Sequence, residues 1–329
     1  MAVRIAVIGA GALGSYFGAR LMQAGHDVVF VARGHRLQVL SDSGLTIATE
    51  HGTEHFRLDL TDSFEAMASV DLALLCVKTW QVPGVIAQMQ AGSISPQRLL
   101  TLQNGVEAHL QMGAILPAGR ILSGIAQGFF EMEQDCRVRH AGVPPKIIFG
   151  ALAPDGKAHA AWLAALLGDA AILHENVADI EARLWEKLLL ASSVGAVGAC
   201  AGKPMGAILD EPDLRGQVVQ MMDEITTVAQ AAGIALDQAA STRMFDFVRT
   251  FPPEATTSMQ RDLMEGRPSE LDAQLGVICR LGWEYGVSIP LVRALYNSLA
   301  AREAIARGTQ PQPVPPKTGR ANVGGKTIL

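Results

Sequence analysis

The stretch Val3-Arg-Ile-Ala-Val-Ile-Gly-Ala-Gly-Ala-Leu-Gly14 runs from an apolar segment of strand length into glycines at 9, 11 and 14. That spacing is G-x-G-x-x-G, and residues of helical periodicity follow it. Each glycine answers a separate physical demand. Gly9 permits a tight turn, Gly11 lets a pyrophosphate approach the backbone, and Gly14 lets the new helix pack closely on the strand. The N–H groups of the first helical turn, at Ala12, Leu13 and Gly14, would face the diphosphate at the positive end of the helix dipole. With a strand before the glycines and a helix after them, the stretch reads as a dinucleotide-binding turn at the head of an α/β domain.

Working outward, residues 12–24 read as the helix, with Gly25 where a C-terminal cap belongs. Residues 27–32 form a second apolar run, ending at Arg33-Gly34-His35-Arg36. An acidic residue at the end of this strand would take the ribose 2′-hydroxyl of NAD, whereas an arginine can meet the 2′-phosphate of NADP. Asp27 stands at the wrong end for the first task, and Arg33, helped by Arg36, is placed for the second. A solvated surface arginine would look the same in sequence.

Short strands are expected at 45–48 and 56–60, with a turn at His51-Gly52, and further strands at 121–132, 138–140, 147–149 and 171–174. The unbroken apolar runs at 71–78 and 99–102 suit parallel strands covered on both faces. They end in Lys78-Thr-Trp and Gln103-Asn104-Gly, which puts Lys78 and Asn104 at the strand edge where open α/β sheets bind ligands. Either residue could equally cap a following helix. A helix at 158–167 completes the first domain, residues 1–174. From 177 onward the pattern is helical, with helices expected over 177–200, 214–232, 239–249, 256–264, 269–284 and 290–306. Residues 203–212, opening on Lys203-Pro204, read as a break. Residues 175–308 form the second domain, and the Pro/Gly-rich tail, 309–329, is expected to be disordered.

A chain of 329 residues with 49% hydrophobic and 18% charged residues suits two well-buried domains. A net charge of −5 makes no electrostatic case for nucleic acid or an anionic membrane. Cys76, Cys136, Cys200 and Cys279 are scattered and read as free thiols of a reducing compartment. No signal-peptide pattern is legible, and the uncharged stretch 188–202 is short for a bilayer. The expectation is a soluble, cytoplasmic protein.

Charged residues inside apolar helices are the remaining candidates for chemistry. Lys187 follows Trp185, and no further charge comes before Lys203. It either snorkels to solvent or points into a polar cleft. Its helix face continues through Ala191 and Gly195, a surface cleared of bulk that suits a ligand cleft or close helix packing. Glu270 follows Pro268 at a helix start, where acidic side chains often merely cap. Ser258-Met-Gln-Arg-Asp262 is a polar patch that also reads as a helix N-terminus. No metal-ligand spacing and no nucleophile-elbow motif occurs.

These pieces together resemble the ketopantoate reductase (2-dehydropantoate 2-reductase) family over nearly the whole chain. VIGAGALGSYFGARL, VARG, LLCVKTWQV and LQNGVE match in the first half; RLWEKL, TSMQRD and RPSELD match in the second. The resemblance implies a Rossmann-type α/β N-terminal domain and an all-α C-terminal domain of the 6-phosphogluconate dehydrogenase C-terminal-like type, with the active site in the cleft between them. It implies NADPH-dependent reduction of 2-dehydropantoate to (R)-pantoate in pantothenate and coenzyme A biosynthesis, by a homodimer. By the same resemblance, Gly9, Gly11 and Gly14 would hold the pyrophosphate, Arg33 the 2′-phosphate, and Lys78 and Asn104 would lie near the nicotinamide. Lys187 would donate a proton to the ketone oxygen, with Glu270 as its acidic partner and Asn104 and Ser258 as substrate contacts.

One departure bears on the substrate. Family members with pantoate chemistry carry Asn one and two turns after the lysine, where this chain has Ala191 and Gly195. Ser192 and Ser193 lie about 100° and 200° further round the helix from Ala191. Losing two amides weakens recognition of a polar acid by about 1 kcal/mol or more each. Gly195 is also expected to leave room for a bulkier substrate. The alternatives are therefore a paralogue reducing a bulkier or less polar 2-oxo acid, or a non-catalytic NADPH-binding sensor. Retention of both Lys187 and Glu270 argues against the sensor.

Overall fold

The computed structural model describes residues 2–67, 69–133, 136–237 and 239–309. It divides into two compact units, one of residues 1–103 and 108–181, the other of Asn104–Glu107 and the chain from Ala182 onward.

The first unit is built on a sheet of ten strands among the described residues. They are β1 (Arg4–Ile8), β2 (Asp27–Val31), β3 (Leu45–Thr49), β4 (Gly52–Phe56), β5 (Asp59–Thr61), β6 (Leu72–Leu75), β7 (Leu99–Thr101), β8 (Ile121–Met132), β9 (Arg137–Ala151) and β10 (Leu173–Asn176). The order is β4-β3-β9-β8-β7-β6-β1-β2-β5, with β10 on β9. Strands β8, β7, β6, β1, β2 and β5 are mutually parallel, and β1 has β2 on one side and β6 on the other. This is the switch point of a doubly wound sheet, and the glycine turn leaves directly from it.

Alternating residues of these strands are buried on opposite faces, as a sheet covered on both sides requires. Val7, Phe30, Leu74 and Leu100 belong to one core; Ile8, Val31, Leu75 and Leu99 belong to the other. The first core packs against α1 (Ala12–Gln23), whose Phe17 and Leu21 are fully buried. β4 and β5, the two ends of the strand order, are separated in the chain by Arg57 and Leu58 alone. The sheet therefore curls until its edges come within about 11 Å at that point, the reach of the linking backbone. α1 lies inside the curl, with Phe17 5.5 Å from the Phe130 ring of β8. A Cβ on Gly18 would stand 2.6 Å from Phe30 of β2.

Several expectations are corrected here. The alternation Phe56-Arg-Leu-Asp-Leu60 reads as one strand, but its first residue ends β4, antiparallel to β3, and its last lies in β5, parallel to β2. The same period runs through a switch from one edge of the sheet to the other. The strand expected at 71–78 stops at Leu75, and the segments 138–140 and 147–149 are parts of the single long β9, which forms a hairpin with β8. Helices α2 (Gly34–Ser43), α3 (Val82–Ala91) and the short α4 (Ala108–Met112) stand where no helix was expected; α5 (Lys157–Asp169) follows β9. The first unit extends past residue 174 to Glu181, because the Val177 N–H donates to Phe149 O at 2.8 Å. Ile180 also packs against Gly150.

The second unit is helical among its described residues. α6 (Ile180–Ala201) enters it, followed by α7 (Met205–Asp210), α8 (Pro212–Ala231), α9 (Ala240–Val248), α10 (Ser258–Met264), α11 (Val277–Glu284) and α12 (Pro290–Arg307). α7 occupies the stretch expected to be a plain break. A π-helical turn, Asp272–Gly276, precedes α11. α6 is long enough to cross a membrane, with a mean hydropathy of 1.3, but 67% of that stretch is buried within the protein. It is a core helix. The four cysteines are free thiols, and the tail from residue 310 lies outside the described residues.

Candidate active site

In the first unit, the glycine turn divides its labour as the spacing requires. Gly9 has φ +105°, and a Cβ there would stand 2.8 Å from Val77 N. A Cβ on Gly14 would overlap Gly9 O and lie 2.9 Å from Cys76 Cβ, so this glycine seats α1 on the sheet. Gly11 differs: no protein atom lies within 4 Å of where its Cβ would be. Gly11 is also the N-cap of α1, with no side-chain cap and no acidic residue in the first turn. The N–H groups of Ala12, Leu13 and Gly14 have no acceptor within the helix. A cradle open at Gly11, beside unclaimed backbone donors at a positive helix end, fits a diphosphate.

Arg33 is the exposed N-cap of α2 at the carboxyl end of β2. Its guanidinium lies over the Phe64 ring, 5.3 Å from the centroid, and donates to Gln88 Oε1. Arg36 points elsewhere, with Nη1 3.6 Å from Cys136 Sγ. Asp27, at the opposite end of β2, faces Arg4 at 3.9 Å. Lys78 follows β6 and lies 5.8 Å from the Trp80 ring centroid; its backbone N–H donates to Gln81 Oε1 at 3.1 Å. Buried Gln103 holds the loop in place, donating through Nε2 to Leu75 O (2.8 Å) and Val77 O (3.0 Å).

The second unit brings three of the expected residues together. Asn104 Nδ2 donates to Glu270 Oε2 at 2.7 Å. Glu270 is 4% exposed. Its carbonyl accepts the first helical hydrogen bond, from Gln274 N at 3.0 Å, so the backbone is at a helix start as expected. The carboxylate, however, is turned to Asn104 rather than acting only as a cap. Lys187, on α6, has its pKa pushed down to about 8 by burial, while the nearby Glu270 carboxylate acts in the opposite direction. Lys187 is partly exposed, and the nearby Glu270 carboxylate is its countercharge. An ammonium with that pKa is still protonated at neutral pH and gives up its proton more readily than an ordinary lysine.

Segment 104–107 is fastened beside Glu270 by residues that the sequence did not single out. Gly105 has φ +90°, and a Cβ there would stand 2.8 Å from Ala273 O. Arg280 reaches Glu107 Oε2 at 2.8 Å and both oxygens of Asp272 at 2.9 and 3.1 Å. The π turn itself is tied to α6, since Ser192 Oγ donates to Gln274 O at 3.3 Å. An extra residue per turn displaces helical carbonyls, and such turns recur at functional sites.

Two expectations about the lysine-bearing helix are overturned or refined. Gly195 leaves no room for a bulkier substrate: a Cβ there would stand 2.6 Å from Thr257 Oγ1 and 3.0 Å from Met259 Cε. The space is filled by the turn that starts α10. Ser192 and Ser193 are both fully buried, and the Ser192 hydroxyl is spent on Gln274 O. Ser258 is the first residue of α10, partly exposed, and the neighbouring Thr257 supplies the cap by accepting from Gln260 N at 3.2 Å.

A turn open to a dinucleotide on an α/β unit, with a lysine, a carboxylate and an amide grouped on a helical unit, defines a nicotinamide-dependent oxidoreductase acting on a CH–OH group. The chain belongs to the ketopantoate reductase family. The family description Ketopantoate reductase PanE/ApbA matches residues 5–154, and its C-terminal counterpart matches residues 179–303. A 2-dehydropantoate 2-reductase from Caulobacter vibrioides is 30% identical, over 90% of this chain and 99% of its own. The crystal structure of a PanE/ApbA family ketopantoate reductase from Ralstonia eutropha superposes with a TM-score of 0.84 at 27% identity, covering 92% of this chain and 99% of that one. A D-mandelate dehydrogenase, solved with NADH and anilino(oxo)acetate, shares the fold with a TM-score of 0.84 at 23% identity, over 92% of this chain and 99% of its own.

Proposed function

We propose that this protein uses NADPH to reduce a 2-oxo acid, 2-dehydropantoate in the first place, to the 2-hydroxy acid (R)-pantoate. The observation that carries this reading is the grouping of Lys187, Glu270 and Asn104 in one unit, with Lys187 tuned to about 8. Gly9, Gly11, Ala12, Leu13 and Gly14 hold the pyrophosphate, Arg33 takes the 2′-phosphate, and Lys78 and Asn104 serve the nicotinamide end. The bound cofactor supplies a hydride to C2. As the carbonyl π electrons move to oxygen, the Lys187 ammonium stabilises the growing charge and transfers its proton to that oxygen. Glu270 keeps the lysine from being a bare buried cation and, with Asn104 and Ser258, orients the substrate's polar groups.

Ala191 offers a methyl where an amide would recognise a hydroxyl, which favours a second reading: a less polar 2-oxo acid. Gly195, packed against Thr257 and Met259, gives no support to a bulkier one. Cofactor oxidation by the purified protein with 2-dehydropantoate, beside apolar 2-oxo acids, separates these readings. Turnover confined to an apolar acid keeps the chemistry and removes the protein from pantoate synthesis. Binding of NADPH without turnover of any oxo acid supports the sensor. Arg33→Ala should weaken NADPH binding at least tenfold and leave NADH unchanged. The proposal includes a homodimer in the cytoplasm; sedimentation as a monomer would remove the dimer.

A further inference from the structure

Glu270 is preceded by Ser269, which is 1% exposed and whose polar atoms are held by α12. The Ser269 N–H lies 3.1 Å from each oxygen of Glu303, and Ser269 Oγ donates to Glu303 Oε2 at 2.5 Å. Arg307, one turn further along α12, closes the ring. Its Nε donates to Glu303 Oε1 at 2.5 Å and its Nη2 to Ser269 O at 2.7 Å. Ser269 Oγ also accepts from Leu271 N at 3.2 Å, which leaves Glu270 bracketed between two fixed residues. The Glu303 side chain is only 12% exposed, so this is not a solvated surface pair of the usual weak kind.

Capping the helix alone would need one acceptor. Here the donor and the acceptor of one peptide residue are both claimed by side chains from a distant helix, and the next residue is Glu270. Fixing the backbone at 269 fixes the direction in which the Cα–Cβ bond of Glu270 leaves the chain. We propose that Glu303 and Arg307 are positioning residues that aim the Glu270 carboxylate at Asn104 and Lys187. The inference rests on the catalytic reading of Glu270, and it adds that the last helix sets the geometry of the reaction.

The test compares Glu303→Ala, Glu303→Gln and Arg307→Lys with the wild type. Glu303→Ala should lower kcat about tenfold, as expected for a slightly misplaced group, with KM for the oxo acid and the affinity for NADPH nearly unchanged. Its alkaline limb of kcat should move to lower pH, because a wandering Glu270 supports the charge of Lys187 less well. Glu303→Gln keeps an acceptor for Ser269 and should recover most of kcat. Arg307→Lys, the milder change, serves if the alanine variant folds poorly. Titration of 13C-labelled lysine by NMR reads Lys187 without any turnover. A wild type that reduces no oxo acid would sink the proposed function, while a Lys187 titration that shifts in Glu303→Ala would still uphold the clamp. A Lys187 titration and pH limb identical to wild type, with kcat falling only in step with the folded fraction, would overturn it.

Discussion

Asn104 and Glu270, 166 positions apart, are joined by an Nδ2–H···Oε2 hydrogen bond of 2.7 Å. A hydrogen bond to a buried carboxylate is worth more than one between neutral groups. Asn104→Ala should therefore lower kcat about tenfold, the equivalent of about 1.4 kcal/mol in the barrier. Asn104→Asp should do more harm, because a second carboxylate at that distance cannot ionise beside the first. Steady-state kinetics on both variants check the order; equal rates for wild type and Asn104→Asp would show that the pair is idle.

The same geometry sets a pH dependence. Only protonated Lys187 can donate, so kcat should fall as pH rises through about 8. Glu270→Gln removes the charge that raises the lysine's pKa against its burial, so the falling limb should move toward lower pH as the maximal rate drops. A limb that moves to higher pH would mean that Glu270 is not the countercharge.

Gly11 and Gly14 should respond differently to alanine. At Gly14 the new methyl meets Gly9 O and Cys76, so the first unit should lose about 1–3 kcal/mol of stability. At Gly11 it meets no protein atom, so thermal unfolding should be unchanged while NADPH binding weakens about tenfold or more. Calorimetry of unfolding and of binding separates the two. Unchanged NADPH affinity in Gly11→Ala would place the diphosphate elsewhere.

Gly195→Ala should destabilise the second unit by about 1–3 kcal/mol, since its methyl would press on Thr257 Oγ1. Thr257→Ala removes that oxygen and should cost about 1 kcal/mol as a lost helix cap. Combining them should restore much of the first loss, a coupling read from a double-mutant cycle of chemical unfolding. Strict additivity would mean that Gly195 is not packed against this turn.

How far the sequence reveals this protein depends on the range of each interaction. The first βαβ unit is legible because Gly9, Gly11 and Gly14 each answer a local demand within a single turn. Lys187 is legible as a charge inside an apolar helix, but Glu270 reads locally as a helix-start residue, and their pairing needs the fold. Glu303 and Arg307 read as an ordinary i,i+4 ion pair on a helix surface, and nothing near them names Ser269 as the target. Arg280 is equally silent, since Glu107 is 173 positions away. Gly195 is ambiguous in sequence because a missing side chain looks the same whether the space admits a ligand or another turn. The strand reading at 56–60 failed for a related reason: periodicity reports which residues face inward, but not which neighbour a strand pairs with.

Asn104–Glu107 belong with the helical unit although the chain on either side of them belongs to the sheet. A single cut of the chain therefore does not separate the two units cleanly. A fragment beginning at Ala182 would carry Lys187, Glu270 and the α12 clamp, yet it would lack the amide that donates to Glu270 and one of the two carboxylates gripping Arg280. Recombination that exchanged the helical half between relatives at a single crossover would inherit a mismatched four-residue graft.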